Sequence, residues 1–149
     1  MKVRSFHLVC LPILIAVAVS AAYAAPTYIG ADKCKLCHKI QYDSWSKTKH
    51  AKAFNSLKPE EKAKKECTEC HTTAGKTELA GIQCEACHGP GSDYKAIGVM
   101  KDKAKSIAAG LKVPTEKDCV ACHNKKSPTF KSFNFAEAVK KVHDHKKPA

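Results

Sequence analysis

Cys34 and Cys37 are followed at once by His38. The same Cys-x-x-Cys-His arrangement returns at Cys67, Cys70 and His71, at Cys84, Cys87 and His88, and at Cys119, Cys122 and His123. This is the spacing of a c-type haem attachment site. Two thiols about one helical turn apart can add to the two vinyl groups of one porphyrin, and the histidine that follows falls beneath the iron as its proximal ligand. These residues are the candidate cofactor-binding set for four covalently attached haems. Paired cysteines could also hold zinc or close disulfides. Neither reading explains a histidine directly after every second cysteine. Of the nine cysteines, only Cys10 lies outside the motifs, near the N-terminus, so none is left for a structural disulfide.

Four irons have eight axial positions, whereas the chain beyond residue 24 has seven histidines. Four of these are proximal, which leaves His50, His143 and His145 for distal work. His50 shares one face of a helix expected over residues 44–57 with Ala53, Phe54 and Leu57, an inward place that suits a distal iron ligand. His143 and His145 flank the apolar stripe of the last helix, Phe135, Ala138, Val139 and Val142, on opposite sides. The helical wheel leaves open which of them turns inward. Met100 either fills a packing gap or offers a thioether to a haem. At least one iron therefore takes methionine, a small molecule or nothing at its sixth position. A haem with two protein ligands suits electron transfer, and an open iron can bind or reduce a small molecule.

The elements that must position these residues come next. Lys2 and Arg4, an apolar run over residues 8–19 and the small-x-small site Ala22-Tyr23-Ala24 read as a secretory leader over residues 1–24, cut before Ala25. The apolar run is too short to cross a bilayer comfortably, an uncleaved anchor being the alternative. Export agrees with the chemistry, because c-type haems are attached outside the cytoplasm, and the expected place is the periplasm. Residues 25–149 then form one tetrahaem domain of about 125 residues, roughly 31 per haem, too few for a protein core around each porphyrin. The haems must themselves be the core. The expected fold is mainly α, with short helices and loops wrapped around four covalently bound haems and little or no sheet. The apoprotein is expected to be largely unfolded.

Local signals place the helices. Asp32 is the expected N-cap of the helix carrying the first motif. Residues 60–66 read as a short exposed helix running into the second motif, and residues 72–81 as a loop. Gly89-Pro90-Gly91 turns the chain sharply after the third motif. Thr115 with Asp118 starts a helix at the fourth motif, and Asn134 with Glu137 opens the last one.

Lys+Arg is 26 and Asp+Glu is 14, a formal charge of +12. Removing Lys2 and Arg4 with the leader takes this to +10, and two propionates on each haem offset most of the remainder. The lysines read first as propionate partners and solvated faces, and second as a docking face for an acidic redox partner. Nucleic acid is excluded as a partner by the compartment and the scarcity of aromatics.

Three stretches resemble the tetrahaem cytochrome c-554 family. The first runs from the Cys34 motif through Ser44-Trp45 and His50-Ala51-Lys52-Ala53 to Ser56-Leu57-Lys58-Pro59. The second is Gly81-x-x-Cys84-Glu85-x-Cys87-His88-Gly89-Pro90-Gly91. The third runs from Phe133-x-Phe135 through Val139-Lys140 to His143-x-His145. The resemblance implies a mostly helical protein with haems in stacked pairs. It implies three haems with two histidine ligands and one five-coordinate haem. It also implies electron shuttling from hydroxylamine oxidation to membrane cytochromes. By position, it makes His50 the distal ligand of the His88 haem and His143 that of the His123 haem, with the His71 haem open and His145 near but not on iron. The family's distal histidine for the first haem falls here at Gly98, which cannot ligate. Met100, two residues on, is the substitute expected opposite His38.

The function these features imply is electron transfer between a protein donor and acceptor, acidic or membrane-bound cytochromes among them, without enzymatic activity. The alternative is a haem enzyme reducing a small nitrogen oxide or peroxide at an open iron. No His, Arg or acid near His71 stands out in the sequence, and beyond residue 24 there is no arginine. Self-association into a haem filament, with His145 serving a neighbouring subunit, is a third arrangement.

Overall fold

The structure, a computed structural model, describes residues 24–146. Apart from Ala24, the expected leader lies outside the described residues. Eight short α-helices follow one another: α1 (Ala31–Lys35), α2 (Lys39–Trp45), α3 (Lys65–His71), α4 (Cys84–His88), α5 (Ile97–Met100), α6 (Lys103–Ala108), α7 (Glu116–Val120) and α8 (Phe135–Ala138). Short 3-10 turns lie at Phe54–Ser56, Thr73–Gly75, Thr77–Leu79 and Val139–Lys141. The one bridge of sheet type among the described residues joins Thr72 to Ala80. None of the described helices is long and apolar enough to cross a membrane.

The cysteine motifs are themselves the helices. α3 and α4 contain the second and third motifs. α1 and α7 run into the first and fourth, where His38 N–H donates to the Cys34 carbonyl (2.9 Å) and His123 N–H to that of Cys119 (3.0 Å). Each motif is thus about one helical turn, with both thiols and the histidine on neighbouring positions of one face.

The long helix expected over residues 44–57 does not form. α2 ends at Trp45, and turns lead to the 3-10 segment Phe54–Ser56. Thr48 Oγ donates to the Trp45 carbonyl (2.7 Å) and accepts from Ala51 N–H, and the His50 carbonyl takes Ile82 N–H at 2.9 Å. Side-chain bonds and a distant partner outcompete the helical ladder. Residues 60–66 likewise divide between turns and the start of α3. Asp32 is not the cap of α1: Gly30 holds that place, and Asp32 accepts from the Tyr42 hydroxyl (2.8 Å), tying α1 to α2. The capping box at Thr115 and the Asn134 cap form as expected.

Among the described residues, the buried hydrophobic ones are only Ala31 and Tyr94, while Leu36, Ile97 and Val113 are each more than 60% exposed (82%, 62% and 62%). The polypeptide does not supply an apolar core of its own. Its cohesion is polar, and the segment at Gly81-Ile82 is one of its knots. Trp45 Nε1 donates to the Ile82 carbonyl (2.8 Å), Gly81 N–H to the His71 carbonyl (3.2 Å), and the Thr73 hydroxyl to the Gly81 carbonyl (3.0 Å).

Candidate haem sites

Two of the four motif histidines are oriented by backbone carbonyls. His71 Nδ1–H donates to the Ala53 carbonyl at 2.8 Å, and His88 Nδ1–H to the Lys112 carbonyl at 3.0 Å. A carbonyl only accepts, so in both rings Nδ1 carries a proton and Nε2 is the nitrogen left for a metal. Lys112 N–H in turn donates to the His88 carbonyl (2.9 Å), so two bonds lock that residue. His143 Nδ1–H donates to the Asp144 carbonyl (2.8 Å), which frees its Nε2 in the same way. His145 is arranged oppositely: its Nε2–H donates to the Val139 carbonyl (2.8 Å) at the end of the last helix.

The rings meet in pairs. His50 faces His123 with 5.9 Å between centroids, and His88 faces His143 at 6.3 Å. Two metal–nitrogen bonds of about 2 Å each, plus the half-widths of two imidazoles, give about 6 Å. Both pairs therefore have the separation of rings that share a metal. Burial, and then the facing His123, hold His50 below its ordinary pKa. Burial does the same for His88, opposed by the Lys112 carbonyl and helped by His143 and His38. For His38 the causes are burial and then His143. All three are kept neutral, the form that ligates.

This pairing differs from the one the resemblance implied, in which His50 faced His88 and His143 faced His123. The reason is how the C-terminal segment is moored. Asp144 N–H donates to Ser44 Oγ (2.7 Å), and Gln41 Nε2 donates to the Lys146 carbonyl, so residues 143–146 lie on α2 beside the first and third motifs. The ring of His123 stacks instead on Phe133 (4.9 Å).

The thiols also act on one another across motifs. The Cys34 thiol lies against that of Cys84, which with burial holds Cys34 well above its ordinary pKa. Cys122 is pushed up to about 12 by burial and then by Cys70. Cys87 is raised by burial and then by Cys119. The first motif thus neighbours the third, the third the fourth, and the fourth the second.

No imidazole faces His38 or His71 at such a separation among the described residues. Met100 is half-buried at the end of α5, and a side chain at Gly98 would meet nothing within 4 Å. Beside His71 is a pocket of about 410 Å³ whose lining includes Ser56, Lys58, Glu61, Ser127 and Thr129. Glu61 is an acid that sequence reasoning missed. It precedes the motif by several residues, and only the turn in which its carboxylate accepts Lys58 N–H (2.8 Å) brings it back to His71.

These features fit haem. The motif turns set thiols and histidine together, the Nδ1 bonds of His71, His88 and His143 leave their Nε2 atoms for a metal, and the exposed apolar side chains want a cover that the chain does not provide. Cys34, Cys37, Cys67, Cys70, Cys84, Cys87, Cys119 and Cys122 would hold the porphyrins.

Known proteins give the same picture. Residues 33–89 match a family described as cytochrome c554 and c-prime. The chain is similar to cytochrome c-554 of Nitrosomonas europaea, at 32% identity over an alignment 187 positions long that covers 86% of this chain and 79% of the relative. Its structure is similar to that of the reduced state of cytochrome c554 from Nitrosomonas europaea. The TM-score is 0.61 and the identity 29%, over 80% of this chain and 85% of the other.

Proposed function

Because the chain belongs to the cytochrome c-554 family, electron-carrying c-type cytochromes with covalently bound haem c, we propose that it passes electrons between periplasmic redox proteins along the order first, third, fourth, second haem. What supports this reading is that attachment thiols of different motifs lie near enough to act on one another, Cys34 with Cys84, Cys87 with Cys119, and Cys70 with Cys122. Neighbouring attachment points bring porphyrin edges close, and tunnelling rates fall exponentially with distance. When bound, haem supplies a one-electron Fe(III)/Fe(II) couple. The chain's part is to orient it. His38, His71, His88 and His123 serve as proximal ligands, His123 is opposed by His50 and His88 by His143. Met100 is assigned opposite His38, and the haem of His71 is left without a distal protein ligand. Lysine-rich surface would meet an acidic partner. The leader over residues 1–24 would carry the chain to the periplasm, leaving residues 25–149 as the haem-bearing domain.

The test is low-temperature EPR of the ferric holoprotein with carbon monoxide titration of the reduced form. One high-spin iron and one equivalent of CO support the assignment. Four low-spin irons and no CO would overturn the open second haem. Replacing Met100 by Ala is expected to add a second equivalent of CO, and an unchanged titration would remove Met100 from the ligand set.

The pocket at His71, with Glu61 and Lys58 in its lining, favours a second reading: reduction of a small nitrogen oxide or peroxide at the second iron, with Glu61 as proton donor. Steady turnover of nitric oxide or peroxide well above that of free haem, lost in Glu61→Gln, would establish it. Turnover no faster than free haem leaves the protein an electron carrier.

A further inference from the structure

Glu85 lies inside the third motif, between Cys84 and Cys87, and is 1% exposed. It is the one buried carboxylate among the described residues. Its neighbours are backbone amides. Ile29 N–H reaches both oxygens (2.9 and 3.0 Å), Gly30 N–H donates to Oε2 (2.7 Å), and Gly91 N–H donates to Oε1 (2.6 Å). Gln83 Oε1 takes the next amide, that of Ala31 (2.8 Å). Three successive N–H groups at the start of α1 are thus satisfied from the segment that carries the third motif. The seat is built for this carboxylate: a Cβ at Gly91 would come within 2.9 Å of Ile29 and 3.0 Å of Glu85 Oε1. Every bond to Glu85 is donated by an amide, so both of its oxygens act as acceptors, the role of the ionised form.

Among the described residues no basic side chain is bonded to this charge. Amide dipoles hold it in place without cancelling it, in an interior where fields are weakly screened. It stands where the first and third motifs meet. The Cys34 thiol is held up first by Cys84 and by burial, and in part by the charge of Glu85. The buried Tyr94 phenol is pushed upward by burial and next by the same charge.

We propose that Glu85 is a potential-setting residue, a fixed internal anion that lowers the reduction potentials of the first and third haems. A negative charge favours ferric over ferrous iron, because the oxidised centre carries one more positive charge. The second and fourth motifs have only solvent-exposed or half-exposed acids beside them, Glu66, Glu69, Glu116 and Asp118, whose fields water screens. The inference rests on the reading of Cys34, Cys37, Cys84 and Cys87 as attachment sites. That premise is checked separately by the mass of the holoprotein, which must show four haems.

The experiment is a spectropotentiometric titration of the four-haem protein, with the midpoints assigned by EPR. In Glu85→Gln, two of the four midpoints are expected to rise, those of the first and third haems, while the other two stay. Glu85→Asp, which keeps the charge on a shorter arm, should leave all four near their original values. Unchanged potentials in a fully loaded Glu85→Gln protein, or a uniform shift of all four, would overturn the proposal. If Glu85→Gln does not mature, Gln83→Glu decides. It places a second anion at the Ala31 amide and must lower the same two midpoints, and no change there overturns the proposal equally.

Discussion

The imidazoles of His50 and His123 face each other at 5.9 Å and an interplanar angle of 54°. His50 reaches this place from a non-helical turn, held by the bond from Ile82 N–H to its carbonyl. Replacing His50 by Ala is expected to convert one low-spin haem to high spin and to add one equivalent of CO to the reduced protein. His143→Ala should do the same to a different haem, and the double variant should add two equivalents. EPR and CO titration check this.

Gly81 holds the turn that positions His50. Its φ is +80°, and a Cβ there would lie 2.6 Å from the Ala51 carbonyl oxygen. Gly81→Ala combines backbone strain of roughly 1–3 kcal/mol with that clash. It is expected to lower the unfolding midpoint and to loosen the His50–His123 pair, seen as a partial shift of one haem to high spin. The clash is with backbone, so no side chain can move aside to relieve it.

Acid should release iron-ligating histidines, the distal His50 among them, before it melts the whole protein. Burial holds His38, His50 and His88 below the ordinary value of 6.5. The folded state therefore disfavours their protons, while the unfolded state takes them up near 6.5. The stability they contribute is fully present above 6.5. It declines as pH falls below that value and is lost once pH has passed through the folded pKa values. Iron ligation acts in the same direction, because only the neutral ring ligates. A Soret-monitored acid titration is expected to show low-spin signal lost below pH 6.5 and none lost between 6.5 and 8.

The bare polypeptide should not hold its fold. With Ala31 and Tyr94 as the buried hydrophobic residues, apolar burial by the described chain alone is too small to offset about 1–2 kcal/mol of backbone entropy per residue. Protein produced without haem attachment is expected to lose most of its far-UV helical signal and to be readily proteolysed. A well-folded apoprotein would contradict this.

Much of the site could be read from the chain before folding. The four motifs are local: a helical turn sets the two thiols and the histidine together whatever surrounds them, so residue types and spacing identify the attachment chemistry. The caps at Thr115 and Asn134 are local as well and form as expected. The histidine count alone limits how many irons can have two imidazoles. What could not be read depends on contacts between distant segments. The helix expected through His50 yields to Thr48 and to the amide of Ile82. That the ring of His143 lies beside that of His88 goes with the bond of Asp144 to Ser44, a tether no periodicity reveals. Glu61 comes to line the pocket beside His71, and Glu85 joins Ile29 and Gly30, because the chain turns back on itself. Local chemistry names the haem sites, and tertiary hydrogen bonds decide which ring faces which and which buried charge lies between them.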